Sequence, residues 1–184
     1  MATTLITGGA RSGKSTLAQE MAQKAGGHVL FVATAEAGDP EMKRRIEAHK
    51  KSRPAGWKTL EVQSHLGSRI LKEFGSANTV VIDCVTLLVS NIIGQFDEKS
   101  DPAEVDKAVT EEIRELIGCV DNCKADFIIV TNEVGLGIIP GDYISRLYRD
   151  LLGKANRLLA ASVDNVYFMV AGIPVVVKGE NPKL

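Results

Sequence analysis

Short runs of consecutive apolar residues alternate along this chain with longer segments whose apolar residues recur every three or four positions. Thr3–Thr7 is the first run; after Gly8-Gly9 comes Lys14–Ala25, where Leu17, Met21 and Ala25 share a helical face before Gly26-Gly27 stops the helix. Val29–Ala33 reads as a second strand. Asp39-Pro40 then gives an N-cap with proline at the first helical position, and the helix it opens carries Met42, Ile46 and His49 on one face, ending before Arg53-Pro54. Trp57–Val62 alternates as a strand does, and Leu66, Ile70 and Phe74 predict a helix. Thr79–Ile82 is an apolar run of the buried parallel type, ending in Asp83, and Val85–Ile93 reads as an apolar helix.

After the polar stretch Gln95–Ser100, Asp101-Pro102 again signals a helix start, and Val105, Val109, Ile113, Leu116 and Val120 keep helical spacing to Cys123. Phe127–Val130 is a further buried strand, Thr131–Gly141 a glycine-containing loop, and Asp142–Ser162 a long helix with Ile144, Leu147, Leu151, Leu158 and Leu159 inside. Val166–Val170 and Val175–Val177 close the chain as strands. Strand–helix alternation with uniformly apolar strands predicts an α/β fold: a mostly parallel sheet with helices on both faces. The charged stretch of residues 36–61 is the least core-like part and reads as an excursion from that sheet.

The chain has 184 residues, which against a prior of ~150 residues per domain predicts a single domain spanning 1–184. Lys+Arg (22) and Asp+Glu (23) cancel, leaving no basic excess to neutralise a phosphate backbone, so a dedicated nucleic-acid binder is not expected. There is no apolar run long enough to span a membrane and no charged start with a cleavage site before Thr3. The three cysteines, two of them at 119 and 123, form neither a disulfide framework nor, without a second Cys/His pair, a zinc site. A cytoplasmic location is the expectation.

Gly8-Gly9-Ala10-Arg11-Ser12-Gly13-Lys14-Ser15 satisfies G-x-x-x-x-G-K-[ST] at every fixed position, in the required strand–loop–helix context. The glycines let the backbone curve round an anion with its N–H groups inward, and the helix beginning at Lys14 adds its positive end. Lys14 is expected at the β/γ phosphates and the Ser15 hydroxyl on Mg²⁺, with Asp83 the second acidic group for the ion, directly or through water. Glu133, in Thr131-Asn132-Glu133 at the end of another buried run, reads equally as a helper of a hydroxyl nucleophile or ion and as a solvated loop acid. Of the three histidines, His49 falls on the apolar face of its helix among Arg45, Lys50, Lys51 and Arg53, cations that keep an imidazole neutral and hence nucleophilic and also attract a triphosphate.

These segments resemble the bifunctional adenosylcobinamide kinase / adenosylcobinamide-phosphate guanylyltransferase family of cobalamin biosynthesis over nearly the whole chain. The likeness rests on TGGARSGKS (Thr7–Ser15), VATA (Val32–Ala35), RIEAHKKSRPAGWKTLE (Arg45–Glu61), IDCVT (Ile82–Thr86), TNEVGLGIIP (Thr131–Pro140) and the terminal VAGIPVVVK. It implies a RecA-like phosphate-loop fold, homotrimers, and two activities. The first phosphorylates the aminopropanol hydroxyl of adenosylcobinamide with ATP or GTP. The second transfers GMP from GTP to adenosylcobinamide phosphate, giving adenosylcobinamide-GDP and pyrophosphate. The residue that takes GMP covalently falls on His49, beside Lys14 as the other catalytic residue. The implied nucleotide contacts fall on Gly8, Gly9, Ala10, Arg11, Ser12, Gly13, Lys14 and Ser15, on Ala33, Thr34 and Ala35, on Lys50, Lys51, Ser52 and Arg53, and on Glu61 and Asp83.

Two other readings stand beside this one. A monofunctional phosphate-loop kinase of another small alcohol would not need His49. A nucleotide-dependent switch acting on a macromolecule would need a partner surface, and neither the N-K-x-D guanine signature nor a basic nucleic-acid patch is present. Trp57, the single tryptophan, reads as core packing or as a stacking surface for a base or corrin edge.

Overall fold

Every apolar run of the sequence becomes a strand: β1 (Thr3–Gly8), β2 (Val29–Ala33), β3 (Lys58–Glu61), β4 (Thr79–Asp83), β5 (Asp126–Val130), β6 (Asn165–Val170) and β7 (Ile173–Lys178). The computed structural model describes residues 1–35, 43–44, 46–47, 50, 53–97 and 99–182. Within these residues the longer helices are α1 (Lys14–Ala25), α2 (Leu66–Glu73), α3 (Val85–Ile93), α4 (Pro102–Asn122) and α5 (Tyr143–Ser162). Residues 43, 44, 46, 47 and 50 are helical, whereas the expected start at Asp39-Pro40 lies outside the described residues, as do Met42 and His49.

The strands pair in one seven-stranded sheet in the order β3-β2-β4-β5-β1-β6-β7. All neighbours are parallel except β6 and β7. The orientation of β7 is fixed by a two-residue turn: Ala171 and Gly172 both take positive φ (50° and 87°), as the primed turns of hairpins require.

Side chains of the central strands alternate between two cores, as the period of two demands. Leu5, Leu30, Val32, Val80, Ile82, Phe127 and Ile129 face the layer formed by α2, α3, α4 and α5. Ile6, Phe31, Val81, Ile128, Val130, Tyr167 and Met169 face Leu17, Ala18 and Ala22 of α1. The central strands therefore read as apolar throughout because both of their faces are covered, whereas β3 and β7 at the margins of the sheet leave most of their positions exposed.

Helix ends are satisfied in different ways. Asp101 and Asp142 cap α4 and α5 by accepting from Ala103 N and Ser145 N at 2.9 and 2.8 Å. The last carbonyls of α5 receive a lysine from another element, since Lys178 Nζ of β7 donates to the carbonyls of Ala160, Ala161 and Val163. At α2 the N-cap is His65, and the acceptors come from α4: Glu112 takes His65 N and Leu66 N on its two oxygens at 2.8 and 2.7 Å, and Glu115 takes Ser68 N at 2.7 Å. Gly67 permits that approach, because a Cβ there would stand 2.5 Å from the Glu115 carbonyl oxygen. The cluster of His65, Glu112 and Glu115 is thus a helix-capping device, with its inner carboxylate committed to backbone N–H groups.

Glu112→Ala would leave two backbone donors without acceptors, one of them buried. It is expected to lower the unfolding free energy by about 2–3 kcal/mol. Urea denaturation of the variant checks this, and a change below about 0.5 kcal/mol would refute the capping role.

Candidate nucleotide site

The carboxyl ends of β1, β2, β4 and β5 converge on one edge of the sheet, where open α/β folds place ligands. Residues 9–13 link β1 to α1 there. Gly8 has φ +142°, and a Cβ on it would meet the Met169 carbonyl oxygen at 2.6 Å, so β6 enforces glycine at this position. Gly13 is the N-cap of α1 at φ 95°, and no side chain caps the helix, unlike α4 and α5. The first N–H groups of α1 are therefore left for a ligand. Lys14 is buried and bends back over the loop, its Nζ donating to Gly9 O at 2.5 Å and Ser12 Oγ at 3.5 Å. Burial lowers its pKa, with Asp83 opposing that fall.

The loop walls a cavity of about 570 Å³, which lies within the usual range for ligand pockets. Ala10 to Thr16 form one side; Phe31, Ala33, Ala35, Arg53 and Glu61 form another; Asp83, Cys84, Thr86, Leu87, Val130 and Asn132 close the floor. Ser15 and Asp83 thus present a hydroxyl and a carboxylate to the same space as Lys14. Hard oxygen donors of this kind suit Mg²⁺ and fit the ion a nucleoside triphosphate brings.

The floor is braced from behind. Thr34, fully buried, donates through Oγ1 to Cys84 O at 2.7 Å and accepts from Cys84 N at 2.9 Å. Its backbone N–H goes to Asp83 O and its carbonyl receives Asn91 Nδ2. The Thr34 side chain is spent on joining the ends of β2 and β4, while Ala33 and Ala35 on either side line the cavity. Asn132 is held through its backbone, whose N–H donates to Thr86 Oγ1 at 2.7 Å and whose carbonyl receives Asn156 Nδ2 at 2.9 Å. Tyr148 donates to the Thr86 carbonyl, and burial pushes its phenol up to about 12. Burial likewise raises the Cys84 thiol to about 11, keeping it neutral near pH 7.

Of the other sequence-derived candidates, Lys50 forms an ion pair with Glu61 across the mouth of the site. Arg53 lies over Phe31, with Cζ 3.9 Å from the ring centroid. His49, Lys51 and Ser52 lie outside the described residues. Glu133 donates its N–H to Gly8 O at 3.1 Å, and its carboxylate accepts Gly135 N at 2.5 Å. Trp57, half-buried, packs on Phe31, ring centroids 6.2 Å apart at 26°, against the core on the α1 side of the sheet. Phe31, Thr86 and Asn132 were not singled out from sequence. The signal for Phe31 was present, since it precedes Ala33 by two positions on the same strand face.

A family model described as "Cobinamide kinase / cobinamide phosphate guanyltransferase" matches residues 4–177. Among curated proteins, the chain is 39% identical over 179 residues to the bifunctional adenosylcobalamin biosynthesis protein CobU of Salmonella typhimurium, covering 95% of this chain and 98% of the relative. The Escherichia coli protein of the same name gives the same identity and coverage. The bifunctional adenosylcobalamin biosynthesis protein CobP of Pseudomonas aeruginosa is 40% identical over 176 residues, covering 96% of this chain and 97% of its own length.

Thr34→Val keeps the shape of the side chain but removes both hydrogen bonds to the Cys84 backbone. A stability loss of about 2–3 kcal/mol is expected, measured by thermal or urea unfolding. Nucleotide affinity should fall with it, because the Asp83–Cys84 segment forms the cavity floor; unchanged values on both counts would refute the bracing role.

Proposed function

Since the chain belongs to the cobinamide kinase / cobinamide phosphate guanyltransferase family, we propose that its sheet-edge cavity serves both reactions, on a single nucleotide-binding domain of residues 1–184 with 36–61 as the histidine-bearing excursion. The first passes the γ-phosphoryl group of ATP or GTP to the aminopropanol hydroxyl of adenosylcobinamide. The second passes GMP from GTP to the resulting phosphate, yielding adenosylcobinamide-GDP and pyrophosphate. The observation that carries this reading is the glycine-capped N-terminus of α1 opening, with Lys14, into the cavity that Arg53, Glu61 and Asp83 also line.

In the kinase step Lys14 and the N–H groups at the start of α1 meet the β and γ phosphates, so positioning and charge neutralisation do most of the work. Ser15 and Asp83 would hold Mg²⁺, which supplies further charge neutralisation on the triphosphate. In the guanylyl step neutral His49 attacks the α-phosphorus; an N–P bond forms and the P–O bond to pyrophosphate breaks. A phosphate oxygen of adenosylcobinamide phosphate then displaces the histidine, breaking the N–P bond and regenerating His49. Residues 8–15, 33–35, 50–53, Glu61 and Asp83 bind the nucleotide in this reading, Thr34 contributing through the strand ends that it joins.

The reading further places the enzyme in the cytoplasm as a homotrimer. In favour of association, the edge strand β7 exposes Ile173, Val175 and Val177, and the loop before α5 exposes Leu136, Ile138 and Ile139. No helix among the described residues is long and apolar enough to cross a membrane.

Incubation with Mg²⁺-GTP without corrinoid is expected to add one GMP to the intact mass, as an acid-labile adduct absent from His49→Ala. Absence of an adduct on the unaltered protein would reject the guanylyl-histidine step and leave a phosphate-loop kinase.

A further inference from the structure

Arg53 sits on the short segment that returns to β3, and its surroundings are unusual for an arginine. Its guanidinium carbon stands 3.9 Å above the centre of the Phe31 ring, and its Nε is buried with no hydrogen-bond partner among the described residues. Asp83 and Glu61 act on it electrostatically from the cavity wall. Phe31 itself is almost completely buried in the core beneath the sheet edge, yet its ring forms part of the cavity lining. Trp57 stacks against the same ring. A tight turn brings the cation and the indole to one phenyl group: Trp57 N donates to Pro54 O at 3.4 Å, and Gly56 takes φ +102°. An arginine at the edge of a loop would otherwise sample many rotamers, and an aromatic face fixes the plane of its guanidinium before ligand arrives.

We infer that Phe31, backed by Trp57, is a platform that holds the Arg53 guanidinium in register with the phosphates of the bound nucleotide, which makes Phe31 a positioning residue acting through Arg53. The inference deepens the nucleotide reading of this cavity and rests on it. The guanidinium N–H groups supply the planar donor set that a phosphate takes up.

A double-mutant cycle tests the platform, with GTP affinity measured by calorimetry in the His49→Ala background so that guanylylation does not interfere. Arg53→Ala is expected to weaken GTP binding about tenfold or more, and Phe31→Leu by about 5- to 30-fold. In the Arg53→Ala background Phe31→Leu should add less than about twofold, because the group it positions is gone. Phe31→Tyr, which retains the ring, should bind within about threefold of its parent. Circular dichroism and thermal unfolding establish that each variant is folded; if Phe31→Leu is not, Trp57→Leu carries the same cycle with a smaller expected loss. Trp57 emission provides a second binding readout in every variant that keeps the indole. If Arg53→Ala leaves GTP affinity unchanged, the assignment of Arg53 to the nucleotide fails. If Arg53→Ala weakens binding but the Phe31 effect is additive, or Phe31→Tyr does not restore affinity, the platform is overturned while the nucleotide site stands.

Discussion

The backbone between β1 and α1 is gripped from three directions, and the proposed phosphate cradle owes its shape to that grip. β6 presses on Gly8 closely enough that a methyl group there would collide with the Met169 carbonyl. Gly172, at the tip of the β6–β7 hairpin, donates its N–H to Ser12 O at 3.1 Å, and its Cα would lie 3.3 Å from a Cβ on Gly13. From the other side, Glu133 N donates to Gly8 O. A glycine-rich loop free in solvent would lose much of its anion affinity to conformational entropy. Here that entropy is removed by ordinary backbone contacts on both sides of the loop.

The opposite wall depends on a comparable economy of polar groups. The strand order puts β5 between the loop strand β1 and the acid-bearing strand β4. Asn132, at the end of β5, and Asp83, at the end of β4, both reach the cavity because Thr86, Asn156 and Thr34 tie the backbones behind them. These ties are part-buried and join separate elements, so the groups that line the cavity sit on segments with little freedom of their own.

Much of this was legible in the sequence. The phosphate loop has both its residues and its strand–loop–helix setting in local order, and Lys14–Ala25 forms the helix its spacing predicts. The caps Asp101 and Asp142 are likewise local signals. What could not be read were relations between strands. Runs such as Thr79–Ile82 and Phe127–Val130 are apolar on both faces, so their composition carries no information on which neighbour each pairs with. The antiparallel sense of β7 hung on Ala171-Gly172, a doublet that fits a primed turn but lacks the asparagine or aspartate that makes such turns conspicuous. Thr34 illustrates another limit: a motif places it at the site, while only the fold shows that its hydroxyl is used on the Cys84 backbone. The pairing of Arg53 with Phe31 joins segments brought together by tertiary packing alone.

The hairpin that steadies the phosphate loop has a consequence for the order in which the protein is made. β1 emerges first from the ribosome, yet its neighbours in the sheet are β5 and β6, and its opening residue Thr3 is tied to Asp164, 161 positions further along the chain. The loop that follows β1 acquires its contact with Gly172 later still. During synthesis β1 and the glycine loop after it therefore lack their sheet partners until β5 and β6 have been translated. The loop's full set of contacts therefore requires residues from both ends of the sheet's chain order. A ligand held by this loop would stabilise only chains in which the β6–β7 hairpin is already in place.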